Sequence, residues 1–148
     1  MIFLDVLTTV SIGLLIGTEF AVSAFINPIL GRLDPGTRTQ GISYFAKRLG
    51  TAMPFWYAGS AVLLLAEAII RRHGPDESLL ITAFALWVVV IVLTLTFLVP
   101  INNRMIRLQP DSPGEIAFRE HRRWDILHRG RVAVLTISMI CFLVAILR

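Results

Sequence analysis

Trp124, His128 and Arg131 fall four and three residues apart, so on a helix an indole, an imidazole and a guanidinium share one face. An imidazole titrates near neutrality and can take a proton, and a guanidinium can hold a developing anion. Directly after them comes an almost wholly apolar run, Val132 to Leu147. Ionisable groups leading into such a run are costly, and they mark either a functional site or an interfacial anchor. Arg122, Arg123 and Arg129 read as anchors, and Trp124, His128 and Arg131 as a candidate site or a structural cluster.

A second polar stripe lies near the N-terminus, where Glu19, Ser23 and Asn27 repeat every four residues inside an apolar stretch. A carboxylate that deep needs a partner. Glu19 lies eight residues inside Asn27 and Arg131 seven inside Trp124, about 12 and 10 Å at the helical rise. The matched depths predict a Glu19–Arg131 pair. Asn102 and Asn103 follow Pro100, which suits a chain that breaks its helix and turns amides inward. Met53 stands beside Pro54 at the start of another apolar run.

The elements that position these groups are helices in a membrane. Hydrophobic residues make up 55% of the 148 residues and charged ones 16%, against about 25% charged in soluble domains. Mean hydropathy is +0.73. The pattern predicts an all-α integral membrane four-helix bundle forming a single domain, with spans near 2–30, 52–70, 78–99 and 124–147. Between the first two spans, Ile42, Phe45, Ala46 and Leu49 make an apolar stripe, read as a short amphipathic interfacial helix over 38–49. Pro28 is expected to end the first span and Pro100 the third. Ser112-Pro113-Gly114-Glu115, after a basic linker from Arg104 to Asp111, reads as the start of the fourth helix.

The first loop holds four of the 14 basic residues (Arg32, Arg38, Lys47, Arg48). Seven more lie in or beside the third: Arg104, Arg107, Arg119, Arg122, Arg123, Arg129 and Arg131. The positive-inside rule then puts loops one and three in the cytoplasm and both termini outside. Topology accounts for these charges, so nucleic-acid binding is not expected. The one cysteine, Cys141, cannot form an internal disulfide or a Cys-x-x-Cys pair, which removes thiol-based quinone-linked oxidoreductases. His121, Asp125 and His128 could make a weak metal cluster on one helix, but such spacings are common by chance, so no metal site is assigned. The expected partner is the lipid bilayer, and a homo-oligomer is compatible with the sequence.

Four short spans, the segment Val99-Pro-Ile-Asn-Asn-Arg104 and the segment Trp124-Asp-Ile-Leu-His-Arg-Gly-Arg131 resemble the anthrone oxygenase-like membrane proteins over nearly the whole chain. The resemblance implies an oxygenase that oxidises an apolar polycyclic, anthrone-like substrate with molecular oxygen as co-substrate and without an added cofactor. On that reading His128 is the base and Arg131 stabilises the anion. Asn102 or Asn103 bonds a substrate oxygen, Trp124 stacks on the rings, and Glu19 orients Arg131 or His128. Asn27 and Met53 complete the substrate-binding set. Two other readings stand beside it: a bundle that holds a lipid, quinone or partner subunit, and a haem or metal protein ligated through His128.

Overall fold

The computed structural model describes residues 1–109 and 111–148. Four helices, each long and apolar enough to cross a membrane, make up the bundle: α1 (Ile2–Leu30), α2 (Pro35–Ile70), α3 (Glu77–Ile106) and α4 (Gly114–Leu147). Contacts such as Ser11–Ser60, Trp87–Tyr57, Ser138–Ala83 and Asn27–Asp125 set every neighbouring pair antiparallel. Loops one and three therefore share one end, the loop end below, and the chain termini share the other.

The helix boundaries differ from expectation in three places. The 38–49 stretch is not a separate interfacial helix but the first part of α2, which runs unbroken for 36 residues. Ile42 and Ala46 are buried and pack with Ile101, Met105 and Ala117, so protein covers this part of the apolar stripe, while Phe45 stays exposed. At about 1.5 Å per residue α2 spans ~54 Å, well beyond a ~30 Å hydrocarbon core, so helix projects past the bilayer. Asp34 caps its start: the Thr37 side chain and backbone N–H beside it hold the Asp34 carboxyl below the usual carboxylate range.

Pro28 and Pro100 do not end their helices either. A proline cannot donate to the carbonyl four residues back, and its ring crowds that carbonyl. Both prolines follow a π turn, Val22–Ile26 in α1 and Thr94–Leu98 in α3. There the bonding lengthens by one residue, with Asn27 N–H donating to Val22 O and Val99 N–H to Thr94 O. The flanking sequences match as well. Phe25-Ile-Asn-Pro28-Ile-Leu-Gly-Arg32 and Phe97-Leu-Val-Pro100-Ile-Asn-Asn-Arg104 share Phe, Pro, Ile and Arg at equal spacing. Thus α1 and α3, which run the same way, carry one device at one end, and π turns of this kind recur at functional sites.

At the start of α4, Ser112 does not cap the helix. Its hydroxyl instead accepts the Gln109 backbone N–H at 2.9 Å, closing a turn. Within the expected Arg104–Asp111 linker, Arg104 to Ile106 are still helix and Pro110 lies outside the described residues.

Two apolar cores result. One fills the bundle toward the termini, with Ile12, Leu15, Leu64, Trp87, Leu135 and Phe142 among its fully buried members. The other fills the loop end around Leu30, Ile42, Ile101, Met105 and Trp124. Beyond the first core, Arg71 joins Asp5 at 2.5 Å and Glu67 at 3.2 Å, tying α1 to α2. Burial opposes the Arg71 charge, but the two carboxylates outweigh it and hold its pKa above the usual arginine value.

Candidate active site

Between the two cores lies a cavity of about 320 Å³ bounded by all four helices, at the lower end of the usual range for small-molecule sites. Its walls are mostly apolar, with Val22, Met53, Ile91, Leu95, Leu98 and Trp124 among them. Glu19, Tyr57, Thr94, His128 and Arg131 gather at its inner end, while Lys47, Thr51 and Asn103 border it toward the loop end.

The expected Glu19–Arg131 pair is present. Arg131 Nη2 lies 2.5 Å from Glu19 Oε2, with the two side chains 10% and 3% exposed. Such a pair replaces the water that each charge loses on burial. The carboxylate has further donors. Tyr57 Oη donates to Glu19 Oε1 at 3.0 Å, and the Arg131 guanidinium lies over the Tyr57 ring at 5.4 Å. Arg131 Nη1 reaches Thr94 Oγ1 at 3.4 Å.

His128 is 1% exposed and held on both nitrogens. Nε2 lies 2.9 Å from the Glu19 backbone carbonyl, an acceptor only, so Nε2 carries hydrogen. Nδ1 lies 2.9 Å from Arg131 Nη2 and 3.0 Å from Glu19 Oε2. A neutral imidazole accepts there from Arg131; an imidazolium donates to Glu19. The ring thus has a partner in either protonation state. Trp124 stacks on it at 4.4 Å and 14°. Haem ligation through His128 would cost the ring one of these hydrogen bonds. Among the described residues, no three His, Cys, Asp or Glu side chains group so as to hold a metal ion.

Of the residues singled out from sequence, Glu19, Met53, Asn102, Asn103, Trp124, His128 and Arg131 border this cavity, and Asn27 does not. Asn27 donates to Asp125 at 2.5 Å and meets His121 Nε2 at 3.2 Å, so it ties α1 to the start of α4. Trp124 borders the cavity with one ring face stacked on His128. Asn102 donates to the Ala46 carbonyl at 3.1 Å, which leaves its own carbonyl oxygen as the acceptor it offers. Gly50 permits this approach, because a Cβ there would lie 2.7 Å from Asn102 Nδ2.

Tyr57 and Thr94 are site residues that the sequence reading missed. The signal for Tyr57 was its position four residues after Met53, on the same helix face; Thr94 was visible as one of two interior hydroxyls in its span.

A family model described as anthrone oxygenase matches residues 43–141. The chain belongs to the anthrone oxygenase family. No curated protein and no solved structure matches it. The matched part of this anthrone oxygenase family member carries Tyr57, Thr94, Asn102, His128 and Arg131, while Glu19 comes from α1, before the match begins. The helix outside the matched residues thus supplies the counter-charge for the residues inside them.

Proposed function

We propose that this protein is a membrane-embedded oxygenase that converts an activated methylene of an apolar, anthrone-like substrate to a ketone with molecular oxygen. The observation that carries the reading is a charge-paired Glu19–Arg131–His128 cluster facing an apolar cavity in a chain of this family. The methylene C–H is acidic because aromatic rings flank it and a carbonyl is conjugated with it. His128 Nδ1 gives up the hydrogen bond it accepts from Arg131 Nη2 and takes the proton, and the resulting imidazolium donates to Glu19 Oε2. The Arg131 guanidinium stabilises the enolate oxygen, as preorganised donors do in a site shielded from water. The enolate passes one electron to oxygen, the radical pair joins to a peroxide anion, the His128 imidazolium returns its proton to give the hydroperoxide, and loss of water leaves the ketone. In balance, one methylene and one molecule of oxygen give one ketone carbonyl and one molecule of water. The electron-rich enolate is itself the reductant, so this route needs no added cofactor. Loops one and three face the cytoplasm in this reading, and the substrate partitions from the bilayer.

The test is oxygen uptake by purified protein in lipid nanodiscs with 9-anthrone, alongside an absorption spectrum and metal analysis. The expected result is one oxygen consumed per anthraquinone formed, and one labelled atom in the product from ¹⁸O₂. His128→Gln should lower the rate by about 10²-fold or more, the usual scale for a general base, with the bundle still folded. Uptake no faster than in empty nanodiscs would favour a bundle that holds a lipid or quinone without turning it over.

A further inference from the structure

A second apolar hollow, about 350 Å³, lies between α3 and α4 and is lined by Leu93, Phe97, Ile126, Leu127 and Gly130 among others. Its surface residues are open to the surroundings of the bundle: Phe97 is 51% exposed and Ile126 62%. Thr94 and Arg131 line both this groove and the central cavity. Their 3.4 Å contact, the longest of the hydrogen bonds that Arg131 makes, is therefore part of the partition between the two. At Gly130 an added Cβ would meet nothing within 4 Å, so the groove is open beside the backbone there. Independently, Arg131 Nε is buried and has no hydrogen-bond partner among the described residues. A buried donor left unpaired costs free energy, and an acceptor oxygen brought to it recovers that cost.

We propose that the groove between α3 and α4 is a lateral entry site from the bilayer for a flat apolar molecule bearing a carbonyl or phenolic oxygen, with the Arg131–Thr94 contact as its gate and Arg131 Nε as the donor that receives the oxygen. The proposal rests on the reading of the central cavity as the substrate site and adds a route and a recognition element. The apolar walls select the body of the ligand. The oxygen displaces the weak Thr94 contact, while the Glu19 pair keeps the guanidinium in place. A site built to bond an oxygen discriminates against an analogue that lacks it, because its donor then stays unpaired.

The experiment follows binding rather than turnover. Protein in nanodiscs is mixed with 9,10-anthraquinone or anthracene from donor vesicles, and quenching of tryptophan fluorescence is followed in time. Anthraquinone should bind about 10-fold or more tighter than anthracene. Gly130→Trp, which fills the groove, should slow association about 10-fold or more, and Phe97→Ala, which widens it at an exposed position, should speed it. Thr51→Trp at the opposite mouth should slow association less than Gly130→Trp does. If Thr51→Trp slows binding while Gly130→Trp and Phe97→Ala do not change it, the ligand enters from the loop end and the lateral route is wrong. Equal affinity for the two probes would remove Arg131 Nε from recognition. If wild-type protein binds neither, the cavity reading itself falls, a result distinct from the first two. Should Gly130→Trp not fold, Phe97→Ala decides alone, and an unchanged rate there overturns the route.

Discussion

Two of the buried carboxylate–arginine pairs among the described residues, Glu19 with Arg131 and Glu67 with Arg71, lie toward opposite ends of the first span. The pairs differ in what surrounds them. Glu67 and Arg71 sit four residues apart on one helix, and Asp5 adds a second carboxylate to the same guanidinium. Thr8 adds a hydroxyl to Glu67 at 3.4 Å, and the arginine, 19% exposed, stands at the end of a span. Glu19 and Arg131 come from α1 and α4, at opposite ends of the sequence, and one carboxylate serves Tyr57 and Arg131 with His128 beside them. Arg131 keeps a buried N–H to spare, and a cavity opens in front of it. Two carboxylates on one cation make a closed clasp. One carboxylate on a cation with a donor left over makes a cluster that can accept an incoming oxygen. The chemistry of the residues is the same; the donor–acceptor balance and the adjoining cavity separate structure from site.

The largest effect should come from breaking the inner pair. Arg131→Met leaves Glu19 buried and unpaired and should cost about 3–5 kcal/mol. Glu19→Leu with Arg131→Met should recover most of that loss, because an apolar pair of similar volume is tolerated where the ion pair stood. It should not recover oxygen uptake. Arg71→Met at the clasp likewise strands Glu67, 1% exposed, without its cation and should cost up to about 3–5 kcal/mol, but uptake per folded molecule should be unaffected. Urea titrations in mixed micelles supply the stabilities. A double variant as unstable as Arg131→Met would show that the guanidinium contributes packing that methionine cannot replace.

A smaller effect compares the hydroxyls. Tyr57→Phe removes the bond to Glu19 Oε1 and keeps the ring beneath Arg131. The expected stability loss is about 1.5–3 kcal/mol, the scale of a hydrogen bond to a charged group, with uptake down about 10-fold as the carboxylate loses one of its positioning donors. Thr8→Val in the clasp should lower stability by about 1 kcal/mol or less, since its bond is long, and leave the rate per folded molecule unchanged. Equal losses of uptake in both variants would mean that the two clusters communicate through α1.

The parts of this contrast that were legible in the sequence are those fixed by depth. Four apolar runs gave the bundle, and the equal distances of Glu19 and Arg131 from their span ends gave the pair. The continuity of α2 was not legible, because Gly50 and Pro54 look like a break, and only packing against Ile101, Met105 and Ala117 keeps the helix whole. Pro28 and Pro100 misled for the same reason. A π turn relieves each proline, and π bonding has no residue signature of its own. Asn27 pointed toward the site by its stripe, yet the π turn between it and Glu19 shifts the register, and it meets Asp125 instead.

The smallest effect tests that register directly. Gly50 lies where α2 passes Asn102 of α3, four residues before Pro54. In Gly50→Ala the new methyl would meet the Asn102 amide at 2.7 Å, so the amide must swing off the Ala46 carbonyl. The lost hydrogen bond predicts about 1 kcal/mol of destabilisation. Asn102→Ala should cost a similar amount by removing the same bond. The double variant Gly50→Ala with Asn102→Ala should then cost no more than either single one, since two neighbours that share one interaction are not additive. Additive losses would mean that Gly50 is needed for the path of α2 itself and not for the seat of Asn102. In that case the loop end of the cavity is shaped by backbone geometry, as it is by the π turns of α1 and α3, and Asn102 is free to turn toward a ligand.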